Sequence, residues 1–537
     1  MSSITDTETE LVREDSTLAE GAAAATTGVG VLLFVLGWVG LFEVVQPANP
    51  LGPALLHDWY GLLMLLGGGA VVALGVASRL GYTATEPSAS AGVTTGIAFG
   101  LIGFTAFGLT LSQTVGLNGP LGLFWIVPSI VGAVGTFAAT ALPREDLGST
   151  LTTGTLAVVV GAVVVTGVIG PQWEWVLGGD WEPTFPAGVV VPGLSIVVGL
   201  LITWAAAKAR AGFGARGRQD GAFLLASLNA MAMIAVLIVL IGFIVLRGAD
   251  GVVRGLEVGL GVGPQLFGLF ALPIDVPFVM RGVGLRGING ILPAIIGTIW
   301  LVIGAMLLSV PIGVGSAVFL TEYAERGRFT QLVETATNGL WSTPSIVYGL
   351  FGLAFFIPRF GNKQSLLAGQ LVLGFMMLPL VIITARESLK SVPDAYRDAS
   401  AALGVTQWQT IRSVVLPAAL PGVATGVILG VGRIAGETAP ILLVTSSTKS
   451  PFPQTYPRVL QGFQFTASPP FISNPALLEA SSALPYQLFA LITAGVGAGP
   501  NARIDPWATA LVLLMVVLSF YAIGIVTRNY FRRQLRA

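Results

Sequence analysis

About twelve stretches of this chain are each long and apolar enough to cross a lipid bilayer, which removes most folds open to 537 residues. Their approximate limits are 22–42, 60–80, 91–114, 120–142, 151–170, 187–208, 222–246, 289–320, 331–358, 366–388, 418–446 and 507–528. Only 10% of residues are charged, against roughly 25% in soluble domains. Backbone groups inside hydrocarbon must be satisfied internally, so a spanning segment is a helix or part of a closed barrel. The strand-by-strand alternation of a barrel is nowhere sustained. The expected fold class is therefore an all-α polytopic membrane protein with about 12 transmembrane helices.

Basic residues collect in cytoplasmic loops of membrane proteins. With the N-terminus inside, the inner segments hold about 17 Lys and Arg and the outer ones about 9. The connection bearing Lys208, Arg210, Arg216 and Arg218 falls inside, as do Arg528, Arg532, Arg533 and Arg536. Both termini are thus expected in the cytoplasm, with lipid around the spans. Residues 1–20 carry Asp6, Glu8, Glu10, Glu14, Asp15 and Glu20 against Arg13. That reads as an acidic, solvated tail and not as a secretory signal, which needs a basic start. Cysteine is absent, which excludes disulfides and thiolate metal sites. The single histidine, His57, falls in a predicted loop, and a lone histidine makes a poor metal site.

The basic connection near residue 210 divides the chain. Residues 21–210 hold six spans with short loops, almost no charge within the membrane and no motif with chemistry. Residues 211–537 hold the other six, with long connections at 247–288, 389–417 and 447–506. None of the four lysines, Lys208, Lys363, Lys390 and Lys449, follows a glycine. A Walker A loop needs Gly-Lys before Ser or Thr, so this chain has none, and an ATPase driving it would be another chain. No catalytic residue, metal site or nucleic-acid partner is expected.

The segment 389–417 reads LKSVPDAYRDASAALGVTQWQTIRSVVLP. Pro393 and Asp394 suit a helix start, and Ala395, Ala399, Ala402 and Leu403 recur at helical spacing. Gly404 ends that helix, and Trp408, Ile411 and Val415 begin another. Two short helices with an apolar ridge suit docking into a partner's cleft. The plainer reading of the pattern alone is a surface elbow between two spans.

The spacing Asp398-Ala399-Ser400, three residues, Gly404, nine residues, then Val414-Val415-Leu416-Pro417 resembles the loop that permeases of ABC importers carry. There the pattern is Glu-Ala-Ala, three residues, Gly, nine residues, Ile-x-Leu-Pro, so Asp398, Ser400 and Val414 depart from it, each by a residue close in kind. Val415 to Gly422, Gly432-Arg433 and Gly436-Glu437-Thr438-Ala439-Pro440 narrow the resemblance to the PstA permeases of phosphate importers. Thr321-Glu322-Tyr323-Ala324, Pro344 to Gly349 and Ala483 to Gln487 point the same way. The sister PstC permeases usually follow Gly-Glu-Thr with Met-Ala. The resemblance covers about residues 215–537 and says nothing of residues 1–210.

That resemblance implies a type I (MetI-like) importer permease domain formed by the last six spans, with residues 389–417 as the coupling loop. Asp398, Ala399, Ser400, Gly404, Leu416 and Pro417 would then meet the ATPase. The implied partners are a PstC-like permease, ABC ATPase subunits that bind ATP and Mg, and an extracellular phosphate-binding protein. Two alternatives stand beside it: an ABC permease for another oxyanion such as molybdate, tungstate or a phosphonate, and a secondary transporter with no ATPase.

Arg433 and Glu437 fall within the stretch 418–446, where charges are costly unless paired or hydrated. Their spacing of four puts them on one helix face, in line with Gly422, Gly426 and Gly430. Pro440 is expected to interrupt the helix beyond them. The pair is either a structural ion pair or a partner for a passing anion, with Glu437 keeping Arg433 from holding it too tightly. In the PstA family these two residues are associated with phosphate passage.

Overall fold

The computed structural model describes residues 18–44, 50–51, 54–83, 85–115, 125–176, 184–266, 270–282, 290–325, 327–445, 456–467, 471–493 and 504–534. The acidic stretch 1–20 lies outside these apart from its last three residues. The chain falls into two compact units that divide between Val236 and Leu237.

The first unit contains α1 (Leu18–Leu41), α2 (Leu56–Arg79), α3 (Val93–Val115), α4 (Ile126–Ala141), α5 (Glu145–Val165) and α6 (Ala187–Arg210). They pack in pairs, α1 on α6, α2 on α5 and α3 on α4. Glycines permit the close approach: a Cβ on Gly199 would lie 2.7 Å from the Gly30 carbonyl oxygen, and one on Gly161 2.8 Å from that of Gly61. Leu33, Tyr60, Met64, Val198 and Ile202 fill the centre. α7 (Gly214–Val253) begins in this unit, where Leu228 and Ala232 pack on Phe34. The division therefore falls within α7 and not in the basic connection before it.

The second unit continues with α8 (Pro277–Met280), α9 (Leu292–Val318), α10 (Arg328–Ser342), α11 (Ser345–Phe351), α12 (Ile357–Arg359) and α13 (Leu366–Lys390). Then come α14 (Asp394–Ala402), α15 (Gln407–Thr410), α16 (Leu416–Ala435), α17 (Ala439–Val444), α18 (Leu484–Thr493) and α19 (Pro506–Gln534). Single π-helical turns extend three of these helices, at Phe319–Tyr323, Gly352–Phe356 and Ile411–Val415. α13 is central, packed on α9 and α16 through Leu301, Val372, Met376, Met377, Val381 and Val431. Small antiparallel strand pairs, such as Glu174–Val176 with Thr184–Pro186, sit in the connections.

The protein is an all-α polytopic membrane protein. Among the described residues ten helices are long and apolar enough to span, or eleven if a bent pair counts as one, against the twelve expected. Two stretches, 120–142 and 331–358, account for the difference. The stretch 120–142 contributes a helix of only 16 residues, α4. The stretch 331–358 is bent by 102° between α10 and α11. There Thr343 is extended at ψ 131°, because the following Pro344 crowds its backbone out of helical geometry. The stretch 418–446 breaks after Ala435, and Pro440 begins α17 in place of interrupting one long helix. At the first turn of a helix the missing proline N–H costs nothing. His57 lies in the first turn of α2 and not in a loop. It is buried, with Nε2 donating to the Ile169 carbonyl at 2.8 Å.

Candidate translocation and coupling site

The last turn of α16 presents Arg433. Below it, Gly422, Gly426 and Gly430 face Ser388, Thr384 and Met377 of α13, so the glycine stripe is the seam where these helices close. Glu437 does not share the helix, because α16 ends at Ala435 and Gly436 caps it. Arg433 Nε stands 3.9 Å from Glu437 Oε1, beyond hydrogen-bond length. Its guanidinium carbon instead lies 4.2 Å over the ring of Trp341, at the end of α10 just before the bend. The Arg433 side chain is 31% exposed and that of Glu437 18%. No hydrogen-bond acceptor holds Arg433 among the described residues. A guanidinium held over a ring and given no acceptor keeps its N–H donors available to an oxyanion.

The other predicted residues lie at the far end of α16, about 25 Å away along its axis. α14 runs to Ala402, and Gly404 turns the chain in the left-handed region at φ +74°. Thr406 then caps α15. Asp398 and Ala399 are exposed, whereas Ser400 is buried, with its hydroxyl 2.7 Å from that of Thr410. The serine that departs from the alanine of the family pattern thus has a partner within the loop. Ala395, Tyr396, Ala399, Leu403, Val405 and Val414 line an open apolar groove of about 510 Å³, and Leu403 is 83% exposed. The apolar ridge therefore faces outward. Leu416 and Pro417 are half-buried in the first turn of α16, above a cluster of Ala385, Leu389, Ile411, Val415 and Ala419.

Sequence reasoning passed over several residues that the geometry singles out. Trp341 covers Arg433. Glu322, quoted within its motif but given no role, accepts a bidentate pair from Arg397 of α14. The Glu322 carboxylate raises the Arg397 pKa above the ordinary guanidinium range. The Glu-Tyr-Ala motif and the Arg-Asp-Ala motif lie 75 residues apart, so only a tertiary contact reveals that they belong together. In the first unit, Glu145 and Lys208 are fully buried 2.9 Å apart at helix ends. Their positions at the end of one helix and the start of another made them read as loop residues. Among the described residues no group of three or more His, Asp or Glu could hold a metal ion.

The family described as binding-protein-dependent transport system inner membrane component matches residues 309–533, within the second unit. The probable ABC transporter permease protein YqgI of Bacillus subtilis is 35% identical over 177 residues, 32% of this chain and 60% of that one. The phosphate transport system permease protein PstA 1 of Mycobacterium tuberculosis is 40% identical over 162 residues, 30% of this chain and 53% of that one. The chain thus spans little more than half the length of these relatives. The phosphate transport system permease protein PstA of Xylella fastidiosa is 30% identical over 243 residues, 45% of this chain and 76% of that protein.

The chain belongs to the PstA-type permeases. As such it is a multi-pass membrane permease of the ABC importer class. The family match takes in the loop 389–417, Trp341, Arg433 and Glu437. The first unit lies outside it.

Proposed function

We propose that this PstA-type permease forms part of the path for inorganic phosphate in an ATP-driven importer, with the loop 389–417 docking on a separate ATPase that binds ATP and Mg. A PstC-like permease and an extracellular phosphate-binding protein complete the assembly, and both termini face the cytoplasm. The names of the relatives support phosphate as the cargo. The observation that carries the reading is Arg433, held over the Trp341 ring with no hydrogen-bond acceptor among the described residues. A structural ion pair buried in a membrane would need close hydrogen bonds to offset desolvation, and 3.9 Å is too long for one. Asp398, Ala399 and Gly404 lie on the exposed part of the loop, where a partner can reach them.

The test is radiolabelled phosphate uptake by Arg433→Gln combined with Glu437→Gln. The variant is expected to assemble with its ATPase and hydrolyse ATP while accumulating no phosphate. Normal uptake would leave the pair a structural one. If sulfate or molybdate competed with phosphate as well as phosphate itself, the cargo would be a broader oxyanion class.

A further inference from the structure

Arg397 binds three elements at once. Its Nη2 donates to Glu322 Oε1 at 2.8 Å and its Nε to Oε2 at 3.3 Å. Nη1 donates to the Val392 carbonyl at 2.8 Å, and Nη2 to the Leu389 carbonyl at 3.1 Å, at the end of α13. The Glu322 backbone carbonyl in turn accepts from Gln407 Nε2 at 2.6 Å, at the start of α15. The first π turn carries Glu322, and the third returns the loop into α16. π turns inside helices occur frequently at functional positions. Beside this junction lies a cavity of about 720 Å³, bordered by Thr330, Glu334, Arg386 and Lys390.

The burial of the two partners differs from that of an ordinary surface bridge. The Glu322 side chain is 8% exposed and that of Arg397 23%. Arg397 also reaches Asp394 at 3.1 Å, but Asp394 is 91% exposed and lies on the same short helix. An exposed pair of that kind contributes little. The buried one links α14 to a different span. Within the loop, the Ser400–Thr410 hydrogen bond ties α14 to the start of the return helix.

We infer that Arg397 is a positioning residue for energy coupling: through Glu322 and the end of α13 it passes a displacement of the loop to the spans on both sides. The inference rests on the docking role proposed for the loop. A bidentate guanidinium resists both pulling and rotation, which a single hydrogen bond does not. Lysine would keep the charge at this point but not the fork.

The test uses the complete complex in proteoliposomes, with ATP hydrolysis and radiolabelled phosphate uptake read on the same sample. Glu322→Gln keeps the size of the side chain and one acceptor but removes its charge. Hydrolysis is expected to stay within about twofold of wild type while phosphate taken up per ATP falls about tenfold, inside the range of ordinary coupling free energies. Arg397→Lys should fall less, and Asp394→Asn should leave the ratio unchanged. A wild-type ratio in Glu322→Gln overturns the inference, and so does an equal fall in Asp394→Asn. If Glu322→Gln fails to assemble, Arg397→Gln is read in the same way. Failure of both to assemble, with Asp394→Asn intact, shows that the pair builds the fold and does not couple it. A wild-type chain that does not bind the ATPase removes the docking reading itself.

Discussion

Arg433 rests over the indole of Trp341, 4.2 Å from its centroid, across a junction between α16 and the end of α10. Cation–π contact of this kind is worth about 0.5 to 2 kcal/mol, more as water is excluded. Trp341→Leu should free the guanidinium and raise the KM for phosphate several-fold, with maximal rate less affected. Trp341→Phe should restore most of the loss. Arg433→Lys should transport poorly with Trp341 in place, because an ammonium has no fork. Transport titrations at fixed binding-protein concentration check all three. An unchanged KM in Trp341→Leu would remove the stacking from the path.

Gly404 constrains the coupling loop through its backbone and not through space. An added Cβ would meet nothing within 4 Å, but φ is +74°. A non-glycine residue there costs about 1 to 2 kcal/mol, least for asparagine. Gly404→Val should leave membrane levels normal and uncouple hydrolysis from uptake, while Gly404→Asn stays close to wild type. Equal uptake by both variants would show that this turn does not set the docking geometry.

Glu145 is held by Lys208 at 2.9 Å, by Arg218 at 3.1 Å and by the backbone N–H groups of Ser88 and Gly214. Removing one member of a buried pair costs about 3 to 5 kcal/mol, because the other is left uncompensated. Lys208→Met should lower the thermal midpoint of the detergent-solubilised protein. Adding Glu145→Gln to it should recover part of the loss. Phosphate uptake by the double variant is expected to persist; its loss in a stable protein would give this cluster a role in transport.

A chain beginning at Ala211 should still insert. With the short α4 counted as a crossing, it removes the six helices α1 to α6, and an even number preserves orientation under the charge rule. It also uncovers Leu228 and Ala232, which pack on Phe34 in the full chain; both are apolar and suit lipid. Uptake by this shorter chain, compared at equal ATPase binding, measures what residues 1–210 add. Loss of uptake with binding intact would make the first unit functional.

The helical membrane class and the loop 389–417 were legible because they rest on local pattern: apolar length in one case, fixed spacing around Gly404 in the other. Arg433 and Glu437 stood out as charges in an apolar stretch. Their geometry did not, since the helix ends at Ala435 and a spacing of four residues implies one face only while the helix lasts. The bend at Thr343 had a local signal in Pro344, but its angle depends on what α10 and α11 pack against. Trp341 and Glu322 were invisible as partners because stacking and ion pairing across distant segments leave no periodic trace. The Glu145–Lys208 pair was hidden because a charge near a span's end reads as solvated until neighbouring helices enclose it.

The π turns have a consequence for comparing this chain with its relatives. Each holds one residue more than a regular helix needs, so everything beyond it is rotated by roughly 100° from the regular phase. Among the described residues all three occur in the second unit, and two of them, Phe319–Tyr323 and Ile411–Val415, flank the segment that bears Arg397. Which side chains point toward that segment is thus decided by single-residue insertions. Deleting one residue from Phe319–Tyr323 would turn Glu322 away from Arg397 with no change in side-chain chemistry. A gapless alignment across that turn to a relative lacking it would pair the wrong faces of the two helices.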